Sequence, residues 1–339
     1  MSEKFDPFEA ASILLRKLGY PCPDSVLALP GGRNNQVWRV GSAGCNFLLK
    51  RYFWSEQDPR DRLSQEWEFL EYLWQQGCER VPKPFIFDAS IRCALLEFVE
   101  GTPPQAQEVT AADVHAAADF FLEINSGREH AAALPPASEA CFSIEAHLAT
   151  TSARVGRLAT IQPATKVHTA ALSLVQETIH PLWDHIEERI RSVAKLDLTR
   201  VLSASERCIS PSDFGFHNSI RQSDHTLRFV DFEYSGWDDP AKTIIDFCNQ
   251  PDGILSDDHS LIFRQRTMDS FPPADALRER VRLLEPVYQL KWACICLNGF
   301  LPGRHFDPLR PDRTPEAQLA RATLMTQRAA SSVNSEIEW

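Results

Sequence analysis

Apolar residues in the first hundred positions follow two different spacings. Between residues 8 and 18 they recur every three or four positions, as on one face of an amphipathic helix, and the pattern stops at Gly19. Three strand-like runs follow, SVLALP, NQVWRV and CNFLLKRYF, and the segments between them carry the Gly and Asn residues of hairpin turns. A second helical pattern covers about residues 61–76 and ends at Gly77, and two more strand-like runs come after it. This order predicts a small antiparallel sheet with one helix packed on it.

Helical spacing dominates the chain from Thr110 onward. Thr110 and Asp113 have the spacing of a capping box, which marks the start of a helix. Pro181 lies inside a long helical pattern and predicts a kink there, because proline lacks a backbone N–H and its ring clashes with the preceding turn. A strand-rich island at about residues 206–234 interrupts the helices. The predicted long helical stretches cover residues 142–156, 167–196 and 273–334.

This change of pattern predicts an α+β chain of two lobes. A length of 339 residues favours about two domains, at roughly 150 residues per domain. We expect a small lobe over residues 1–98, a hinge at 99–104, and a larger, mostly helical lobe over 105–339.

Composition and charge exclude several classes of protein. Apolar residues make up 43% of the chain and charged residues 24%, which allows a sizeable core and argues against intrinsic disorder. The formal net charge of −11 would repel nucleic acid, so no nucleic-acid partner is expected. The chain contains no run of 18 apolar residues, so no membrane span is predicted, and residues 1–10 lack the features of a signal peptide. Nine scattered cysteines are typical of free thiols in a reducing compartment, which favours a cytoplasmic protein.

The strand-rich island carries three oxygen-bearing side chains. The segment between Asn218 and Asp231 predicts a hairpin that turns near residues 222–225 and brings its ends within about two residues, or ~7 Å, of each other. Asp213 lies just upstream in a loop rich in Pro, Ser and Gly. Hard oxygen ligands of this kind suit a magnesium ion that keeps some waters and shares phosphate oxygens. Each aspartate alone could simply cap a turn, but the spacing of the set favours a metal site.

Two charged residues in the predicted small lobe lie at apolar positions. Lys50 sits inside a strand-like run, and Glu66 lies on the apolar side of the helical pattern. A buried Lys and Glu on adjacent elements would pair, either as a structural ion pair or as a Lys held ready to contact phosphate oxygens. Gly31 and Gly32 lie between the first two strands and could cover phosphates with backbone N–H groups, although Gly-Gly also marks ordinary hairpins.

The order of these motifs resembles the aminoglycoside phosphotransferase and choline kinase family, over residues 25–105 and 205–250. The motifs that carry the resemblance are GGRNNQVWRV, Lys50, Glu66, LLEFVEG, SDFGFHN and VDFEYSGWDDP. The resemblance implies a bilobal protein-kinase-like fold whose first lobe binds the nucleotide, with a catalytic loop at 210–218 and a magnesium-binding motif at 230–233. It also implies ATP- and Mg²⁺-dependent transfer of the γ-phosphate to a hydroxyl of a small molecule: an aminoglycoside, an amino alcohol such as choline, or a sugar or amino sugar.

Residue by residue, the resemblance assigns five chemical roles. Asp213 would be the catalytic base that receives the proton of the acceptor hydroxyl. Asn218 and Asp231 would hold magnesium against the nucleotide phosphates. Lys50 would contact the α- and β-phosphates, and Glu66 would hold Lys50 in place.

The resemblance assigns four further positions to nucleotide binding. Gly31 and Gly32 would belong to the hairpin that covers the phosphates. Glu97 and Val99 would belong to the hinge whose backbone binds the adenine edge, so their side chains carry no information about this role.

One part of the catalytic loop departs from the family pattern. The family usually has His-Gly before the catalytic Asp, whereas this chain has Pro211 and Ser212 there. Pro fixes φ and could stiffen the loop by another route. The alternative is a catalytically inactive, nucleotide-binding pseudokinase with a regulatory or scaffold role. All five chemical positions are present, which favours an active enzyme.

The acceptor is less well determined by the sequence. Asp231 is followed after eight residues by an Asp-Pro pair and a helical run, which leaves little room for the peptide-docking segment of a protein kinase. Residues 105–205 hold twelve acidic and eight basic residues, so they indicate either attraction of a cationic acceptor or an ordinary solvated surface. Trp237 and Trp292 could likewise face a cation or pack in the core.

Overall fold

The computed structural model describes residues 5–29, 35–56, 58, 60–193, 196–251, 255–306 and 313–334. The chain divides into two compact units. The first unit comprises residues 1–138 and 209–237, and the second comprises 139–208 and 238–339. The first unit therefore contains every residue that the sequence assigns to the site. The lobe boundaries that the sequence suggests near residues 98 and 104 stay a prediction.

An antiparallel sheet of five strands forms the start of the first unit. The strands are β1 (Ser25–Ala28), β2 (Gln36–Ser42), β3 (Cys45–Arg51), β4 (Pro84–Asp88) and β5 (Cys93–Glu97). Their order is β1-β2-β3-β5-β4, and each neighbouring pair is antiparallel. β3 is the central strand, so Lys50 pairs with Val37 on one side and Ala94 on the other. The predicted antiparallel sheet is confirmed.

Two helices pack on this sheet. The first, α1 (Pro7–Lys17), places Leu14 and Leu15 in one buried cluster with Leu49 of β3. The second, α2 (Arg62–Gln75), packs on β4 and buries an apolar face that also carries Glu66. Both helices are followed by a glycine with positive φ, at the positions where the sequence pattern predicts that they end.

The rest of the first unit consists of one helix and short strands. Helix α3 (Ala111–Asn125) begins with the predicted capping box, in which Thr110 Oγ1 accepts the Asp113 N–H at 3.3 Å and Asp113 Oδ2 accepts the Thr110 N–H at 2.8 Å. The short strands are β6 (Cys208–Ser210), β7 (Ser219–Arg221), β8 (Leu227–Phe229) and β9 (Gly236–Asp238). β7 and β8 form the predicted hairpin, with Ser219 opposite Phe229.

The second unit is helical. Its helices are α4 (Ile144–Leu158), α5 (Lys166–Leu174), α6 (His180–Arg191), α7 (Pro240–Asn249), α8 (Asp257–Met268), α9 (Ala274–Cys296) and α10 (Pro315–Asn334). Helix α9 packs against α4, α7 and α10. The sequence predicts a kink at Pro181, and the structure has a π-helical turn over Val175–Ile179 just before this proline, where the His180 N–H bonds the carbonyl of Val175. Within the described ranges, no helix has the length and apolar character needed to cross a membrane.

Two buried ion pairs involve α7, and the pair of Lys291 with Asp246 joins this helix to α9. Lys291 Nζ lies 3.1 Å from Asp246 Oδ2, and Lys242 contacts Asp238. The indole N–H of Trp292 donates to Asp246 Oδ1 at 2.8 Å, so this tryptophan is part of the same network.

Candidate active site

Lys50 and Glu66 form a buried ion pair between β3 and α2. Lys50 Nζ lies 2.6 Å from Glu66 Oε2, and the exposed fractions of the two side chains are 5% and 2%. The other carboxylate oxygen, Glu66 Oε1, accepts the backbone N–H of Phe232 at 3.0 Å. Glu66 therefore connects the central strand of the sheet with the segment that contains Asp231.

Asp231 is the second carboxylate in contact with the Lys50 ammonium. Nζ lies 2.5 Å from Asp231 Oδ1, and the Asp231 side chain is 33% exposed. The Asp231 backbone has φ of 68°, in the left-handed region that residues other than glycine rarely adopt. Burial alone would lower the pKa of Lys50, but the carboxylates of Asp231, Glu66 and Glu233 outweigh it, so the pKa lies above its ordinary value. The ammonium therefore stays charged at any working pH.

Asn218 joins the loop of Asp213 to the strand that leads into Asp231. The Asn218 Nδ2 donates to the backbone carbonyl of Asp213 at 2.9 Å. Its own backbone carbonyl accepts the N–H of Val230 at 2.9 Å, which extends the pairing of the β7–β8 hairpin. These contacts place the backbone of residues 213, 218 and 231 around the open end of one hairpin.

Asp213 has a partly exposed carboxylate in a loop with an unusual backbone. Its side chain is 40% exposed, and Oδ1 lies 3.3 Å from Nε2 of His217. Ser212, directly before it, has φ of 67°. A left-handed conformation costs a residue with a Cβ roughly 1–2 kcal/mol, and glycine avoids this cost. Ser212 therefore adopts a conformation that favours glycine, at the position where the family pattern has glycine.

A buried polar cluster beside Asp231 was not predicted as part of the site. Gly31 and Gly32 lie outside the described residues, and Asn35 is the first described residue after them. The Asn35 Nδ2 donates to Glu233 Oε2 at 2.7 Å, and Arg62 Nε lies 3.4 Å from the same oxygen. The one available signal was the Glu of the Asp-Phe-Glu motif, because it closely follows an apolar run, and a buried carboxylate needs a partner of its own.

The hinge residues end β5 and attach it to the β7–β8 hairpin. The backbone N–H of Glu97 donates to the carbonyl of Lys83 at 2.8 Å, so its carbonyl, and not its N–H, is the backbone group that could face a nucleotide. Val99 follows two residues later and is buried. Gly101 has φ of 142°, and a Cβ there would lie 2.3 Å from the carbonyl oxygen of Arg221.

The backbone after the Asp-Phe-Glu motif is paired with an earlier loop. Residues 234–237 and 135–138 are joined by backbone hydrogen bonds of 2.9 Å. Gln65 of α2 donates to a carbonyl in the same segment at 2.6 Å. The indole N–H of Trp237 donates to the carbonyl of Ala131 at 3.0 Å, which fixes the orientation of this half-buried ring. The segment is therefore fastened along its length.

The oxygen donors of Asn218 and Asp231 fit a magnesium ion that is bound together with a nucleotide. Within the part of the chain that the structure describes, no cluster of three or more His, Cys, Asp and Glu side chains could hold a metal. Magnesium usually keeps several waters and takes phosphate oxygens, so one carboxylate and one amide oxygen are enough from the protein.

A sequence profile of the phosphotransferase enzyme family (APH) matches residues 25–257. The chain belongs to this family. The predicted enzyme class, a phosphotransferase of the small-molecule kinase type, is confirmed. A search of curated protein sequences gave no match.

Solved structures confirm the predicted kinase-like fold of this phosphotransferase. Choline kinase LicA from Streptococcus pneumoniae is 15% identical, with a TM-score of 0.59 over 94% of this chain and 95% of that one. Spectinomycin phosphotransferase APH(9)-Ia, solved with ADP and spectinomycin, is 11% identical, with a TM-score of 0.63 over 96% and 99%. A choline/ethanolamine kinase family protein from Mesorhizobium loti is 16% identical, with a TM-score of 0.61 over 96% and 98%.

Proposed function

We propose that this phosphotransferase uses Mg²⁺–ATP to phosphorylate a hydroxyl group of a small molecule, with Asp213 as the catalytic base. The observation that carries the proposal is the position of the Lys50 ammonium, which contacts Glu66 and Asp231 at the same time. A lysine that is held by one carboxylate and lies on a metal-binding carboxylate is arranged to neutralise phosphate charge beside the metal.

The proposed roles follow from what phosphoryl transfer requires. The reaction depends on positioning and charge neutralisation more than on covalent chemistry by the protein. Magnesium, held by Asn218 and Asp231, would supply positive charge at the phosphates. Lys50 binds phosphate oxygens, and Asp213 orients the acceptor hydroxyl and receives its proton. The partial exposure of the Asp213 carboxylate supports this role, because an acceptor must be able to reach it.

The proposed nucleotide is ATP. Its adenine edge would meet the carbonyl of Glu97 and the N–H of Val99, and the hairpin of Gly31 and Gly32 would cover the phosphates. The spectinomycin phosphotransferase and LicA structures, which contain ADP and AMP, support an adenine nucleotide. All nine cysteines are free thiols, which supports the proposed cytoplasmic location.

The proposed acceptor is a small hydroxylated molecule and not a protein or a nucleic acid. The fastening of residues 234–237 to 135–138 argues against a peptide-docking segment after the metal-binding motif. The structurally similar proteins are named as kinases of choline, ethanolamine and spectinomycin. The net charge of −11 also favours a cationic acceptor, so amines and amino sugars are the first compounds to test, before neutral sugars.

The test is a coupled ADP-release assay with ATP, Mg²⁺ and a panel of aminoglycosides, choline-like amines and free sugars. Wild type and Asp231→Ala are compared, and EDTA serves as the metal-free control. We expect one acceptor class to stimulate ADP release by the wild type, and both EDTA and the substitution to abolish it. Binding of ATP with no acceptor-dependent release across the panel would instead favour the pseudokinase alternative.

A further inference from the structure

Glu233 lies two residues after Asp231 and has no role in the chemistry proposed above. Its side chain is only 5% exposed, and its Oε2 accepts from Asn35 and faces Arg62. Burial raises the pKa of Glu233, Lys50 opposes this shift, and Asp231 adds to it. A carboxylate enclosed in this way faces its protein partners and not a ligand.

Asn35 and Arg62, two of the partners of Glu233, are themselves held in place. The Arg62 side chain is 1% exposed, and it donates to Asp58 Oδ2 at 2.6 Å and to the carbonyl of Phe53 at 3.2 Å. The Asn35 Oδ1 accepts the N–H of Phe53 at 3.1 Å. Glu233 therefore faces two fixed donors, Asn35 directly before β2 and Arg62 in the first turn of α2.

Helix α2 contacts the metal-binding motif at two points one helical turn apart. Arg62 faces the Glu233 side chain, and Glu66 accepts the backbone N–H of Phe232. Asn35 adds a third point of attachment. Asp231 has a left-handed backbone, and a strained conformation of this kind persists only where the surroundings over-determine it. All three attachments are made by the two residues that directly follow the strained residue.

We propose that Glu233, held by Asn35 and Arg62, is a positioning residue that keeps Asp231 in the left-handed conformation in which its carboxylate meets Lys50. This inference rests on the proposed function, because it makes Asp231 the magnesium ligand. Loss of the Glu233 attachment lets the Asp231 backbone relax, which moves its carboxylate and weakens the binding of Mg²⁺–ATP. Binding of ATP without metal depends much less on this carboxylate.

The test is calorimetric titration of the full chain with ATP, in Mg²⁺ and in EDTA, for wild type, Asn35→Ala, Glu233→Ala, Glu233→Gln and the double alanine variant. Asn46→Ala is the control, because Asn46 is an exposed asparagine of the same sheet that bonds Arg39.

We expect Asn35→Ala and Glu233→Ala each to weaken Mg²⁺–ATP binding about tenfold, the scale of one hydrogen bond to a charged group. The loss in the double variant should be smaller than the sum of the two single losses, because both substitutions remove the same Asn35–Glu233 hydrogen bond. Glu233→Gln should bind within about threefold of the wild type, since its amide oxygen still accepts from Asn35.

Other results would overturn the inference. If Glu233→Gln loses Mg²⁺–ATP binding while Asn35→Ala keeps it, Glu233 acts on the metal directly. Equal losses with and without Mg²⁺, or additive losses in the double variant, would indicate general structural damage. If the wild type binds no Mg²⁺–ATP, the proposed function is refuted and the positioning role with it. If the wild type binds and only the variants fail to show the expected pattern, the positioning role alone is refuted.

Discussion

Replacement of Lys50 by methionine should destabilise the fold strongly, in addition to removing the proposed phosphate contact. The ammonium lies against Glu66 and Asp231 and also offsets the charge of Glu233. Methionine fills a similar volume but leaves these carboxylates facing one another without a cation. Removing one partner of a buried ion pair costs about 3–5 kcal/mol. Only Glu66 counts as a fully buried partner, because the Asp231 side chain is 33% exposed and partly screened by water. We therefore expect the loss of unfolding free energy to lie at the lower end of this range, about 3 kcal/mol.

The assay is urea unfolding of the nucleotide-free protein, with Lys17→Met as the matched control. Lys17 contacts Asp88 at 2.7 Å, but its side chain is 50% exposed, so its removal should cost less than about 1 kcal/mol. A loss of about 3 kcal/mol would be a large part of the 5–15 kcal/mol that is typical of folded domains. Equal losses for the two methionine variants would show that burial of the Lys50 pair carries no special cost, and would refute the reasoning.

The destabilisation should also depend on pH. The folded-state pKa of Glu233 is raised by burial, and Lys50 is the main cause that opposes the shift. Stability from a group with a raised folded-state pKa is present at low pH and is lost as pH rises through that pKa. Lys50→Met removes the positive charge that lowers the pKa of Glu233, so this pKa should rise further in the variant. The loss of unfolding free energy relative to the wild type should therefore be larger near pH 8 than near pH 5. A pH-independent difference would contradict this charge argument.

Three further predictions concern the backbone and the thiols. Gly101→Ala should lower the melting temperature, by about 2 kcal/mol or more of stability, because its Cβ would lie 2.3 Å from the carbonyl oxygen of Arg221. An unchanged melting temperature would mean that this hinge contact is not formed. Ser212→Gly should stabilise by up to about 1 kcal/mol, since it relieves a φ of 67°, and a lower melting temperature would argue against the left-handed loop. A thiol reagent such as DTNB should label the exposed Cys22 and Cys45 first and the seven buried thiols only in urea. Rapid labelling of more than two thiols in the native protein would contradict the burial described for the others.

Elements with strong local signals could be predicted from the sequence nearly to the residue. The predicted helix over residues 61–76 is observed as Arg62–Gln75, because the Asp61 cap and the left-handed Gly77 act through a few neighbouring residues. The predicted helix over 167–196 ends earlier, at Arg191. It also contains a π turn before Pro181, because proline has no backbone N–H and the hydrogen bonding of the preceding turn changes locally. The contact of Lys50 with Glu66 was predictable because both are charged residues at apolar positions.

The attachments of the Asp-Phe-Glu motif could not be predicted from local patterns. Asn35 and Glu233 are 198 residues apart, and their hydrogen bond exists only because the sheet and the island pack together. Arg62 lies in the first turn of an amphipathic helix, where an arginine is usually exposed, yet its side chain is 1% exposed. The orientation of Trp237 likewise depends on a carbonyl more than a hundred residues away.

The central claim is that Asp213 is the catalytic base of a phosphotransferase, and one comparison tests it most directly. Transfer of the γ-phosphate to the best acceptor is measured for wild type and Asp213→Asn, together with the Kd of each for Mg²⁺–ATP. The account predicts an unchanged Kd and a loss of transfer of roughly a hundredfold or more, the scale of general-base catalysis. Transfer at the wild-type rate by Asp213→Asn would contradict it.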